Sequence, residues 1–151
     1  MGGSEGPPGD RCAAVTELAD TSVWARKSHP RVRDWFVAAV EAGEIAACDM
    51  VALELLHSAR TPSEFGALEL GLAALPWAEM DTAVWQRARD VYRALGTGPG
   101  MPQRSVKHAD LLIAAAAELA GMTLLHYDAD YDTIAAVTGQ PTRWAAPRGS
   151  L

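Results

Sequence analysis

Short apolar runs that alternate with longer amphipathic segments constrain this chain more than any other feature. Residues 13–19, 44–48 and 122–127 are short and mostly apolar, the first of them turn-bounded, and they read as strands. Between the first two, residues 31–42 place Val32, Trp35, Phe36, Ala39 and Val40 at i, i+3, i+4, i+7 and i+8, an amphipathic helix ending at Gly43. Further helices are predicted over 50–59, stopping before Pro62, and over 63–73, before Pro76. Residues 77–80 suit a short strand. Residues 82–95 form a clear helix on Val84, Trp85, Ala88, Val91, Tyr92 and Leu95, closed by Gly96. Strong helix formers then fill 107–120 up to Gly121, and a short helix follows over 131–138. Pro141, Pro147 and Gly149 predict a mostly irregular tail. Strands alternating with helices in this way specify an α/β fold with a mostly parallel sheet and helices on both faces.

At 151 residues the chain is long enough for one domain and too short for two independent cores. Residues 1–11, rich in Gly and Pro, read as a disordered leader; 12–146 form the single domain and 147–151 a tail. The leader lacks the basic start and apolar centre of a signal peptide. The longest apolar run, residues 111–117, is far shorter than the roughly 20 residues of a membrane-spanning helix. Cys12 and Cys48 lack metal-ligand spacing and are too few for a disulfide scaffold, which fits a reducing cytoplasm. With 13 basic and 19 acidic residues the net charge is −6, which excludes bulk attraction to phosphate. Any nucleic-acid contact must come from a local basic patch or from metal ions. Residues 97–104, the one long internal loop, suit a flap or a plain connector equally.

In an open parallel sheet, strand carboxyl ends and helix amino ends meet along one edge, where ligands bind. Asp20 ends the first strand, Asp110 lies in the first turn of the 107–120 helix, and Asp128 ends the last major strand. Glu54, the only formally charged residue between Asp49 and Arg60, sits among Val51, Ala52, Leu53, Leu55 and Leu56. Four carboxylates gathered at one edge repel one another unless a cation sits between them. Hard oxygen ligands suit Mg²⁺ or Mn²⁺, which can activate water and hold a phosphodiester together. Each acid also has a structural explanation. Asp20 with Thr21 and Ser22 can cap a helix, Asp110 can complement a helix dipole, and Glu54 can be a surface acid. Asp128, Asp130 and Asp132 begin like a calcium loop, but Thr133 stands where Gly is needed and Gly139 where the closing Glu belongs.

Four segments carry a resemblance. These are LADTSVW at 18–24, LELL at 53–56, ADLLIAA at 109–115 and LLHYDADY at 124–131, which together span residues 18–131. In this order and spacing the chain resembles a PIN-domain ribonuclease, specifically the VapC-like toxin of a bacterial toxin–antitoxin pair. The resemblance implies a three-layer α/β/α sandwich and Mg²⁺- or Mn²⁺-dependent endonucleolytic cleavage of RNA. It places catalysis and metal binding on Asp20, Glu54, Asp110 and Asp128, with Ser22 and Asp130 in support. It also implies a VapB-like antitoxin whose amphipathic segment lies in an apolar groove, with an arginine entering the acidic site, and a homodimer in the cytoplasm. His126 departs from the pattern, standing where such toxins carry Thr or Ser, so a histidine donor would replace a hydroxyl there. Arg104, Lys107 and His108, just before Asp110, are candidates for RNA contact, as are Arg87, Arg89 and Arg93 on the preceding helix. A solvated helix face explains Arg87 and Arg89 better, and His108 reads by default as a structural histidine. Of Trp24, Trp35, Trp77, Trp85 and Trp144, most are expected in the core, with one or two lining an apolar groove.

Two other readings compete. A phosphatase with an aspartyl nucleophile needs a second acid two residues after Asp20, where Ser22 stands. A catalytically inactive PIN-like module that binds RNA or protein would have lost an acid, whereas all four are present.

Overall fold

Parallel strands need a crossover connection, usually through a helix. In the computed structural model, which describes residues 16–151, β1 (Glu17–Ala19), β2 (Ile45–Ala46), β3 (Thr123–His126) and β4 (Thr142–Trp144) pair in parallel in the order β2-β1-β3-β4. The helices are α1 (Thr21–Trp24), α2 (Arg33–Glu41), α3 (Asp49–His57), α4 (Pro62–Ala73), α5 (Thr82–Thr97), α6 (His108–Leu119) and α7 (Asp130–Thr138).

Side chains alternate between the two faces of a strand, and the core divides accordingly. Leu18 and Leu124, register partners, pack with Val84, Leu95, Ile113 and Ile134 from α5, α6 and α7. Ala19 and Leu125, the next pair, pack on the opposite side with Val23, Val32 and Phe36. The sheet therefore lies between two helical layers, as the resemblance implied. The apolar run at 111–117 is buried throughout, which makes α6 the central helix and carries Asp110 inward on its first turn.

Several expectations change in detail. The first predicted strand starts at Glu17, with residues 13–15, the 1–11 leader and Cys12 outside the described residues. Residues 77–80 form no strand, only a bridge between Ala47 and Trp77. Pro76 has no N–H to extend the ladder, and Asp81 soon caps α5 through the Val84 amide. Gly96 does not end α5, which runs on to Thr97, whose hydroxyl bonds back to the Arg93 carbonyl. The tail is more regular than predicted because β4 adds to the sheet edge. A bidentate ion pair at 2.6 and 2.8 Å fastens Arg143 of β4 to Glu17 of β1.

The tryptophans are a correction. None of the five is fully buried, and Trp85 is 55% exposed. An indole N–H taken into an apolar core needs a partner. Trp35 and Trp144 find theirs at the rim, in the Arg31 carbonyl and the Asp132 carboxylate. Among the described residues, no helix is long and apolar enough to cross a membrane.

Candidate metal centre

The Asp20 amide donates to the Leu125 carbonyl at 2.9 Å, which fixes this residue where β1 ends beside β3. Its Oδ2 accepts from the Ser22 amide at 3.0 Å, so Asp20 caps α1 and stands at the sheet edge at once. Ser22 Oγ in turn accepts from the Tyr127 amide at 2.9 Å, tying α1 to the segment that follows β3. Asp20 and Asp110 are 4% and 6% exposed. Between them lies the hydroxyl of Tyr131, a residue with no exposed surface, 2.6 Å from Asp20 Oδ1 and 3.3 Å from Asp110 Oδ1. Burial and the two flanking carboxylates push the phenol well above its ordinary pKa, so the hydroxyl keeps its proton.

A second group adjoins this one. Asp128 Oδ1 accepts from the Asp130 amide at 2.9 Å, and its Oδ2 lies 3.1 Å from Lys107 Nζ. The same ammonium stands 3.9 Å from Asp110 Oδ2 and 4.0 Å from Asp130 Oδ2. One oxygen each from Asp110, Asp128 and Asp130 lies within 4.8 Å of the others. Lys107 is the N-cap of α6, where the helix dipole disfavours a cation, and these acids offset that cost. Glu54 approaches from α3, which packs against both α1 and α6.

The electrostatics follow from burial and crowding. Burial first, then the charge of Asp20, pushes the Asp110 carboxyl up to about 8. The same two causes, in the same order, raise Glu54. Burial also works against a charged Asp128, but the Asp130 amide and Lys107 outweigh it and hold this carboxyl below its ordinary value. The hydrogen bond that Lys107 donates to Asp128 raises the pKa of Lys107. Among the described residues, Asp110 Oδ2 and Glu54 Oε1 are buried with no hydrogen-bond partner. Unpartnered buried carboxylate oxygens, an all-oxygen donor set and an ammonium in their midst together fit a hard divalent cation. Asp110, Asp128 and Asp130 are placed to hold one, with Asp20 and Glu54 alongside.

Asp20, Asp110 and Asp128 thus converge at one edge, and Glu54 borders them. Asp130, expected only in support, offers an oxygen to the three-carboxylate group. Lys107, expected on RNA, is engaged with the acids. Arg104 is exposed on the 3-10 turn Pro102–Ser105 and takes part in none of these contacts. Arg87 is committed to an ion pair with Glu118. His108 is exposed and edge-on to Tyr92 at 5.6 Å, beside the exposed Trp85. His126 is fully buried, and its Nδ1 accepts from the Asp128 amide at 3.2 Å, so it serves as acceptor where a donor was expected. Burial lowers its pKa and favours the neutral ring that can accept. Cys48 is a buried thiol pushed up to about 11, in keeping with an inert residue.

Tyr131 is the residue that reasoning from sequence missed. Its signal is faint, a tyrosine directly after an acidic run at the start of a helix, where an aromatic ring reads as core. Beside the site, a hollow of about 420 Å³ is lined mainly by apolar side chains, among them Trp24, Leu55, Leu68 and Leu72, with Glu54 and Lys27 on its wall.

Residues 18–137, which contain Asp20, Glu54, Asp110, Asp128 and Asp130, match the PIN domain family. The chain belongs to the PIN-domain family, in its VapC group. Ribonuclease VapC18 of Mycobacterium tuberculosis is 47% identical over 135 residues, covering 87% of this chain and 96% of that relative. Ribonuclease VapC51 of the same organism is 43% identical over 138 residues, covering 91% and 98%. The fold of this PIN domain matches VapBC of Salmonella typhimurium, solved bound to DNA, with a TM-score of 0.68 at 16% identity over 87% of this chain and 99% of that one. VapBC2 of Rickettsia felis, also solved with DNA, matches at a TM-score of 0.65 and 15% identity, covering 85% and 98%.

Proposed function

We propose that this PIN-domain protein is a Mg²⁺- or Mn²⁺-dependent endoribonuclease, the toxin of a toxin–antitoxin pair, which hydrolyses RNA phosphodiester bonds at Asp20, Glu54, Asp110 and Asp128. The observation that carries this reading is the buried pair Asp20 and Asp110, joined through Tyr131, with an unpartnered Asp110 oxygen facing Asp128 and Asp130. Its similarity to VapC ribonucleases over nearly the whole of their length supports RNA as substrate.

Asp110, Asp128 and Asp130 supply oxygens to the cation, and Asp20 and Glu54 add negative charge around it. Bound Mg²⁺ or Mn²⁺ supplies Lewis acidity, which lowers the pKa of water and offsets charge on the phosphate. Ser22 holds the Tyr127 amide and so keeps the end of β3 against α1. Lys107, engaged with the acids but 68% exposed at its side chain, can turn to meet a phosphate oxygen, with Arg104 and His108 as further contacts. The apolar hollow beside Glu54 suits an amphipathic segment of a VapB-like antitoxin, with an arginine directed at the acids. A homodimer and a cytoplasmic location complete the reading.

Purified protein incubated with total RNA and Mg²⁺ or Mn²⁺ tests it, with Asp20→Asn, Asp110→Asn and EDTA controls. Discrete cuts lost in every control are expected. Equal handling of RNA by the wild type and both variants would overturn the catalytic assignment and leave a binding module.

A further inference from the structure

A tyrosine hydroxyl has one proton to donate, and a fully buried one is held in place by the packing of its ring. The Tyr131 ring belongs to the main core and lies against His126 with centroids 5.1 Å apart. Its hydroxyl therefore has little freedom, and its short contact is with Asp20 Oδ1 at 2.6 Å, the contact to Asp110 Oδ1 being longer at 3.3 Å. The other oxygen of Asp20 is fixed by the Ser22 amide, so both oxygens of this carboxylate are held from the protein side. Asp110 is held on one side only, with Oδ2 left free of hydrogen bonds among the described residues. No other side-chain hydrogen bond among the described residues joins the two buried acids of this site.

We propose that Tyr131 is a positioning residue for the metal centre, its hydroxyl setting the rotamers and spacing of Asp20 and Asp110 so that Asp110 Oδ2 is presented beside Asp128 and Asp130. This rests on the metal-binding reading above. Groups that orient metal ligands commonly change metal affinity tenfold to a hundredfold when removed. Without the hydroxyl, Asp20 Oδ1 loses its partner, and nothing stands between Asp20 and Asp110 when metal binding ionises Asp110. A purely structural tyrosine would act through its ring, which phenylalanine retains.

Two measurements test the inference. In the first, Mn²⁺ affinity is measured by calorimetry for the wild type, Tyr131→Phe, Asp20→Asn and the double variant, with metal-free melting curves to confirm folding. Tyr131→Phe is expected to fold and to bind Mn²⁺ at least about tenfold more weakly, and to add little once Asp20 is Asn. An affinity within twofold of wild type in a folded Tyr131→Phe protein would overturn the role of Tyr131 while leaving the metal site standing. Absence of Mn²⁺ binding by the wild type would overturn the metal reading itself. The second needs no variant at position 131. The chain has three tyrosines, so ζ-carbon-labelled tyrosine gives few NMR resonances, assignable with Tyr92→Phe and Tyr127→Phe. Saturating Mg²⁺ is expected to move the Tyr131 resonance more than the other two, and a resonance that stays put while Mg²⁺ binds would overturn the inference.

Discussion

Lys107 Nζ and Asp128 Oδ2 lie 3.1 Å apart, joining the amino end of α6 to the carboxyl end of β3 across the mouth of the acidic centre. The ammonium stands within 4.0 Å of three carboxylates and partly balances them. It occupies the region in which a divalent cation would be held.

Replacing Lys107 with Met removes this balancing charge. The side chain is 68% exposed, so solvent screens the interaction and the loss is small, on the order of 1 kcal/mol. The metal-free variant is expected to melt about 2–4 °C below wild type. Saturating Mn²⁺ should close that gap, because the metal then carries the charge. Thermal melts with and without Mn²⁺ check this, and an equal gap in both would show that Lys107 acts elsewhere.

Asp110 gives metal-free stability a definite pH dependence. Its carboxyl rises from 3.8 to about 8 on folding, so between those values the folded state binds more protons than the unfolded state. Stability from this group is full below about pH 4 and is lost as pH rises towards 8. Metal-free protein should therefore lose melting temperature between pH 5 and pH 8, and the Asp110→Asn variant should lose less. Saturating Mn²⁺ should reduce the decline in wild type.

The same shift predicts a proton count. At pH 7 a carboxyl titrating near 8 is mostly protonated, so Mn²⁺ binding should displace most of one proton. The release should fall towards zero above roughly pH 9. Calorimetry in buffers of different ionisation enthalpy measures it, and no release at pH 7 would show that Asp110 is ionised before metal arrives.

Gly121 ends α6 with φ +68°, a conformation that L side chains rarely adopt. Gly121→Ala should cost about 1 kcal/mol and lower the melting temperature by about 2–4 °C. Mn²⁺ affinity should stay unchanged, since the substitution lies at the far end of the helix from Asp110. A change in affinity would mean that the placement of α6 is more malleable than its buried face suggests.

The sequence alone determined the alternation of strands and helices, the two-sided sheet and the placing of Asp20, Asp110 and Asp128 at one edge. These depend on local periodicity and on which residue follows a strand or opens a helix, and both are written in consecutive positions. Tertiary structure decided what those acids touch. Tyr131 lies 111 residues from Asp20 and Lys107 lies 21 from Asp128, and no local pattern announces either contact. The same holds for β4, a three-residue strand recognisable only once β3 offers it an edge, and for Trp35 and Trp144, whose N–H groups found partners at the rim. Where a side chain's role depends on a partner distant in sequence, the packing of the two layers on the sheet selects that partner.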